Sequence, residues 1–189
     1  LYAGQKAYNG VALLSKRPGS DVITAIPGFI DDQKRVLSAI YDDIRVICVY
    51  VPNGESVLSE KYQYKLKWLA ALNAWLRDLL SKHQKLVLLG DFNIAPEECD
   101  VHDANLWAGQ VLFSLPEREA FRGVLSLGFE DSFRLFEQPE KSYTWWDYRM
   151  MAFRRNMGLR IDHILLSPDL AKICTACTID KTTRKLERP

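Results

Sequence analysis

The segment Leu86-Val-Leu-Leu-Gly-Asp-Phe-Asn93 sets a carboxylate and an amide two positions apart, directly after four aliphatic residues and a glycine. An apolar run of this kind, bounded upstream by Lys82-His83-Gln84-Lys85, predicts a strand buried on both faces. Side chains on a strand alternate, so a strand-like exit past Gly90 puts Asp91 and Asn93 on one side and returns Phe92 to the core. An acceptor and a donor then stand together at the carboxyl end of a strand, the rim where ligands sit in helix-covered sheets. The same residues also describe a turn in which an Asx side chain caps the backbone. A second carboxylate, Asp162 in Leu159-Arg-Ile-Asp-His-Ile-Leu-Leu166, shares a strand face with Ile164 and Leu166. A carboxylate among aliphatics needs a partner, which could be a histidine to orient, a cation to hold, or an ion pair with Arg160. His163 faces the other way, as a core or peripheral histidine.

Tyr50, in Tyr-Val-Pro-Asn-Gly54, ends a strand just before a turn, and its hydroxyl is aimed at the rim that carries Asp91. Without that rim it is an ordinary strand aromatic. Tyr143-Thr-Trp-Trp-Asp-Tyr-Arg149 is followed by Arg154, Arg155 and Arg160, so that four arginines and no acid lie between Tyr148 and Ile161. Arginines interleaved with aromatics suit a surface that neutralises phosphates and stacks on a base or sugar. Paired tryptophans are also simply large core residues.

The elements that must position these groups follow from periodicity. Strands are predicted at 11–15, 36–41 and 44–51, the last two joined at Asp42-Asp43 as a hairpin. From Ser59, a plausible N-cap, to Leu80 the period changes, with Tyr62, Leu66, Leu69, Leu72, Leu76 and Leu79 on one helical face. That helix leads into the strand at Leu86, giving a strand–helix–strand unit with a parallel crossover. Ser114-Leu-Pro-Glu117 has capping-box spacing and opens a second helix that stops at Gly128. Short extended pieces are expected from Asp131 to Trp145, a strand at 159–167 ended by Pro168, and a short strand near 174–179.

A chain of 189 residues, 48% hydrophobic and 26% charged, is expected to form one globular domain. A formal net charge of +1 leaves any nucleic-acid role to local clustering. No apolar run reaches the roughly 18 residues of a membrane span, and a cytoplasmic protein without a membrane partner is expected. Cys48, Cys99, Cys174 and Cys177 do not suggest a disulfide framework, and the Cys174–Cys177 spacing lacks the second pair that zinc requires.

Tyr8-Asn-Gly-Val-Ala12, Tyr50-Val-Pro-Asn-Gly54, Gly90-Asp-Phe-Asn93, Trp145-Trp-Asp-Tyr-Arg149 and Gly158-Leu-Arg-Ile-Asp162 run in the order and approximate spacing of one family. Through them the chain resembles the exonuclease III family of abasic-site endonucleases, within the endonuclease/exonuclease/phosphatase superfamily. The resemblance implies an α/β fold, a four-layer sandwich of two packed sheets flanked by helices as in deoxyribonuclease I. It implies Mg²⁺- or Mn²⁺-dependent hydrolysis of DNA phosphodiesters, as a 3′ to 5′ exonuclease on double-stranded DNA ends and as an incision enzyme at abasic sites. By position, Asp91 resembles the general base or metal-linked carboxylate, and Asn93 the amide that holds a phosphate oxygen, both within reach of the metal. Tyr50 resembles the tyrosine at the phosphate or leaving group, and Asp162 the aspartate that pairs with a catalytic histidine. Trp145, Leu159 and Ile161 match the walls of the pocket for a flipped-out, base-free sugar, while Arg35, Asn53 and Arg149 are candidates for further DNA contact.

In that family an Asn-rich strand and a glutamate-bearing strand would precede Leu1, and a Ser-Asp-His motif would follow Pro189. A chain with the printed boundaries is therefore expected to be the central and greater part of the fold, with impaired activity and a weakened Mg²⁺ site. A non-catalytic module of the same fold, binding DNA or protein through the Arg149–Arg160 surface, is the alternative. A lipid- or inositol-phosphate phosphatase is disfavoured by the Trp-Trp-Asp-Tyr-Arg and Tyr-Val-Pro-Asn-Gly stretches.

Overall fold

The computed structural model describes residues 1–185, and residues 186–189 lie outside the description. In chain order it forms β1 (Tyr2–Gly4), β2 (Gly10–Ala12), β3 (Ser20–Ile23), β4 (Val36–Tyr41), β5 (Ile44–Tyr50) and the long helix α1 (Glu60–Lys82). After these come β6 (Leu86–Asp91), α2 (Ala104–Trp107), α3 (Leu115–Leu125), β7 (Glu130–Asp131), β8 (Trp145–Trp146), β9 (Gly158–Leu159), β10 (Asp162–Leu166) and α4 (Pro168–Ala171). A six-stranded sheet runs β3-β4-β5-β6-β10-β7, with β5 and β6 parallel and the other pairs antiparallel. The fold is mixed α/β, and α1 is the crossover that lets β6 lie parallel to β5.

Helix α1 starts where the Ser59 side chain accepts the Tyr62 amide, one of the donors that a helix start leaves without a partner. Its buried stripe, with Trp68, Leu72 and Leu76 as its most enclosed apolar members, packs with Phe121 of α3 against Ile47, Val49, Leu86, Leu88 and Phe92. Each such side chain contributes about 1.5–3 kcal/mol on burial, so this one face supplies most of the drive to dock the helices. The stripe also contains Lys65, while Leu66 is only half-buried, a one-position rotation from the face that periodicity suggested. Ser114 and Glu117 form the expected capping box at the start of α3.

On the opposite face, Ala3, Val11 and Leu13 of the β1–β2 ribbon and its continuation cover Leu37, Ala39, Val46, Cys48 and Tyr50. Among the described residues the second layer of strands consists of two-stranded ribbons, β1–β2 and β8–β9. For that reason β6 is fully buried on one face only: Leu86 and Leu88 are enclosed, while Val87 and Leu89 are half-buried. The strand expected at 159–167 is interrupted at Arg160 and Ile161, where the Arg160 amide turns aside to the Asp100 carbonyl at 2.8 Å. The chain passes there from the β8–β9 ribbon into the main sheet. Residues 174–179 make no strand. All four cysteines are free.

Candidate active site

Three residues come together across the sheet because two registers share Asp91. Tyr50 is the neighbour of Asp91 across the parallel β5–β6 pair, and Asp91 is the neighbour of Asp162 across the antiparallel β6–β10 pair. Strand spacing of roughly 4.8 Å sets these positions in one short row at the carboxyl end of β6. Gly90 makes the row possible. Its φ is 135°, and a Cβ there would stand 2.0 Å from the Val49 carbonyl oxygen, so only glycine lets β6 approach β5 this closely.

Asn93 does not leave as a strand residue. Its φ is 49°, and its amide donates to Asp91 Oδ1 at 2.8 Å, an Asx turn that folds the chain back toward β6. The turn and the functional pairing are therefore the same structure. Asn93 is buried, and both hydrogens of its side-chain amide are engaged, by the Val51 carbonyl at 3.0 Å and by Asp91 Oδ2 at 3.2 Å. Its Oδ1 accepts from Asn53 Nδ2 at 3.0 Å, which leaves one lone pair on that oxygen and one spare N–H on Asn53. The donor left free at this rim thus belongs to Asn53, with Asn93 orienting it.

Two residues that periodicity alone passed over hold this pair from behind. Lys65 on α1 is fully buried, and its ammonium donates to the carbonyls of Asn93 at 2.7 Å and Asn53 at 3.1 Å and to Glu117 at 2.5 Å. Glu117, also fully buried, accepts in addition from the amides of Leu112 and Ser114 and from the Ser114 hydroxyl. Burial pushes the Lys65 pKa down, against the opposing pull of Glu117. A lysine inside an apolar helical stripe was the available signal.

Arg160 is not the partner of Asp162. Its buried guanidinium donates to Asp100 and Asp131, lies 5.1 Å from the Phe133 ring centroid, and donates to His163 Nδ1 at 3.0 Å. His163 Nε2 donates to the Ile94 carbonyl at 2.8 Å, so the ring is neutral and belongs to the core. Burial, followed by the charge of Arg160, lowers its pKa to about 4. Asp162 keeps its tip open to solvent, and the Thr144 Oγ1 accepts its backbone amide at 3.1 Å.

The residues matched to DNA contact divide into exposed and buried sets. Trp145 is half-buried beside Leu159, its partner in the β8–β9 register, whereas Leu159 and Ile161 are 0% and 2% exposed and form the packing beneath it with Val101 and Phe113. Arg35 is largely buried, donating to the Tyr50 carbonyl at 3.1 Å with its guanidinium carbon 4.6 Å from the Tyr50 ring centroid, so it orients that tyrosine. Arg149, Arg154 and Arg155 are exposed on the loop between β8 and β9, beside Tyr148 at 89% exposure.

Burial, and next the nearby charge of Asp162, raises the Asp91 pKa to about 6. Partial desolvation raises Asp162 as well. Neither forms a salt bridge among the described residues, and the charges of Lys65 and Arg35 offset the Asp91 carboxylate only in part. Hard oxygen donors with only partly offset negative charge fit a divalent metal ion of the magnesium type. Among the described residues no three His, Cys, Asp or Glu side chains cluster, and the oxygens that could hold an ion at this rim are those of Asp91 and Asp162 with the remaining lone pair of Asn93. Such an ion keeps several waters or substrate oxygens, which a set this small permits.

The Endonuclease/Exonuclease/phosphatase family matches residues 2–183. Exodeoxyribonuclease III of Haemophilus influenzae is 36% identical over 202 aligned positions, which span 100% of this chain and 76% of that protein. Among solved structures, a 3′–5′ exonuclease from Neisseria meningitidis superposes with a TM-score of 0.97 at 46% identity, and an AP endonuclease from Archaeoglobus fulgidus with 0.95 at 38%. Each comparison covers 100% of this chain and 74% of the other. Another structure with a TM-score of 0.97 and 45% identity, over the same shares of the two chains, is described as a 3′ phosphatase from Neisseria bound to a product DNA hairpin. With its family signature running nearly end to end and its fold matching theirs, the chain belongs to the endonuclease/exonuclease/phosphatase family, in the exonuclease III group.

Proposed function

We propose that this protein is a DNA-repair nuclease that hydrolyses phosphodiesters at the Tyr50–Asp91–Asp162 row, as a 3′ to 5′ exonuclease and as an abasic-site endonuclease on double-stranded DNA. The observation that carries the reading is the coincidence of two strand registers, joining three strands, with the Asn53–Asn93 pair at one sheet rim. A phosphodiester needs an oriented water, relief of negative charge on its oxygens, and help for the departing oxygen. Asp91 would take a proton from water as that water adds to phosphorus. The spare N–H of Asn53 supplies a donor for a phosphate oxygen, and Tyr50 one for the oxygen that leaves when the P–O ester bond breaks. Asp91, Asp162 and Asn93 would hold Mg²⁺ or Mn²⁺, which supplies Lewis-acid neutralisation of the phosphate when bound.

Trp145 offers a face to a base-free sugar turned out of the helix, and such a sugar leaves the stack at least cost because it has no base to unstack. Arg149, Arg154 and Arg155 suit the flanking phosphates. A cytoplasmic location belongs to this reading. No helix among the described residues is long and apolar enough to cross a membrane. The test uses a 5′-labelled duplex with one abasic site and a second duplex with a recessed 3′ end, each with Mg²⁺ and with EDTA. Cleavage with Mg²⁺ is expected to be lost in EDTA and to fall at least about a hundredfold in Asp91→Asn. Cleavage that survives both changes would overturn the reading.

A further inference from the structure

A charged residue at the centre of an apolar helix face is costly unless its hydrogen bonds are complete. Those of Lys65 are complete in an unusual way. Two of its three N–H bonds go to main-chain carbonyls, and the two residues that own them are Asn53 and Asn93, 40 positions apart and joined side chain to side chain. The third goes to Glu117, which also binds Ser114, whose hydroxyl lies 2.5 Å from that of Tyr62 on α1. The ammonium thus touches both amide-bearing segments and links α1 to the start of α3. A simple charge pair would need only Glu117.

We propose that Lys65 is a positioning residue: it clamps the Asn53 and Asn93 backbones to each other and so fixes the direction of the spare Asn53 N–H at the rim. This rests on the nuclease reading for its effect on rate, but the clamp itself is a statement about two amide side chains. Hydrogen bonds to an ammonium are stronger than neutral ones, which gives the clamp its stiffness. A donor must meet the oxygen where charge develops, and a displacement of an ångström forfeits much of its effect.

The experiment compares Lys65→Met with the charge-balanced double variant Lys65→Met/Glu117→Gln, and adds Glu117→Gln alone. Each is read by urea midpoint, by kcat and KM on the abasic duplex, and by the side-chain amide NMR signals of Asn53 and Asn93. Lys65→Met strands the Glu117 charge and is expected to lower the midpoint; the double variant restores it. In the double variant kcat stays about tenfold or more below the parent with KM within about twofold, and both amide signals shift and exchange faster with solvent. Glu117→Gln alone keeps the ammonium on its two carbonyls, so both amide signals stay in place. Recovery of kcat and of both signals together with stability in the double variant would overturn the proposal and leave Lys65 a structural ion pair. If the Met variants fail to fold, loss of the amide signals in folded Glu117→Gln overturns it and their retention supports it. If the parent cleaves no duplex, the nuclease reading falls while the amide signals still decide the clamp.

Discussion

Replacing Asp162 by Asn is expected to make the metal-free protein more stable at alkaline pH. Asp91 has a folded-state pKa of about 6 against an ordinary 3.8, so ionising it costs the native state about 3 kcal/mol in total. Burial is the larger cause and the Asp162 charge the second, and Asp162 is open to solvent, which screens it. The share relieved by Asp162→Asn is therefore about 1 kcal/mol. The sign follows from linkage. A carboxylate whose pKa is raised on folding destabilises the fold above that pKa, and the cost disappears as pH falls through 6 toward 3.8. Urea unfolding in EDTA should show Asp162→Asn above the parent at pH 8 and the two nearly equal at pH 5. Mg²⁺ should then reverse the order, since a ligand at 100 times its Kd stabilises the form that binds it by about 2.7 kcal/mol. A variant no more stable than the parent at pH 8, or a gain that ignores pH, would refute the picture of two carboxylates that repel each other.

His163 has the opposite dependence: its pKa is lowered to about 4, so the stability of its neutral, buried form is complete above pH 6.5 and is lost as pH falls toward 4. Between pH 7.5 and 5 the loss is about 2 kcal/mol, read as the difference in urea-derived stability between the parent and His163→Gln, in which the carboxylate contributions cancel. Gly90→Ala, with its Cβ driven into the Val49 carbonyl, should lose at least about 3 kcal/mol in the same assay. A milder loss would mean that β6 can move away from β5.

The hairpin of β4 and β5, the α1 crossover and the capping box at α3 were legible because each is a local pattern: alternation around a tight turn, a change of period, and a Ser–Glu spacing. So were Tyr50, Asp91 and Asp162, since each ends or begins a strand, although only the sheet order reveals that they are neighbours. The details that failed depend on long-range partners. Arg160 was one of three candidate partners for Asp162, but Asp100, sixty positions away, and Asp131 claim it and break the strand there. Asn93 read both as a strand-exit donor and as part of an Asx turn; its left-handed backbone makes the turn, and its contact with the distant Val51 turns the amide inward. Lys65 and Glu117 come together from two helices, and no local pattern joins them.

The most direct measurement is the anomalous difference map of a crystal grown with Mn²⁺ and a cleavage-resistant abasic duplex. It should place the ion at the Asp91 and Asp162 carboxylates and a DNA phosphate within hydrogen-bond reach of Asn53 Nδ2 and the Tyr50 hydroxyl. A duplex seated with its phosphate away from that rim, or an ion bound without either carboxylate, would contradict the assignment.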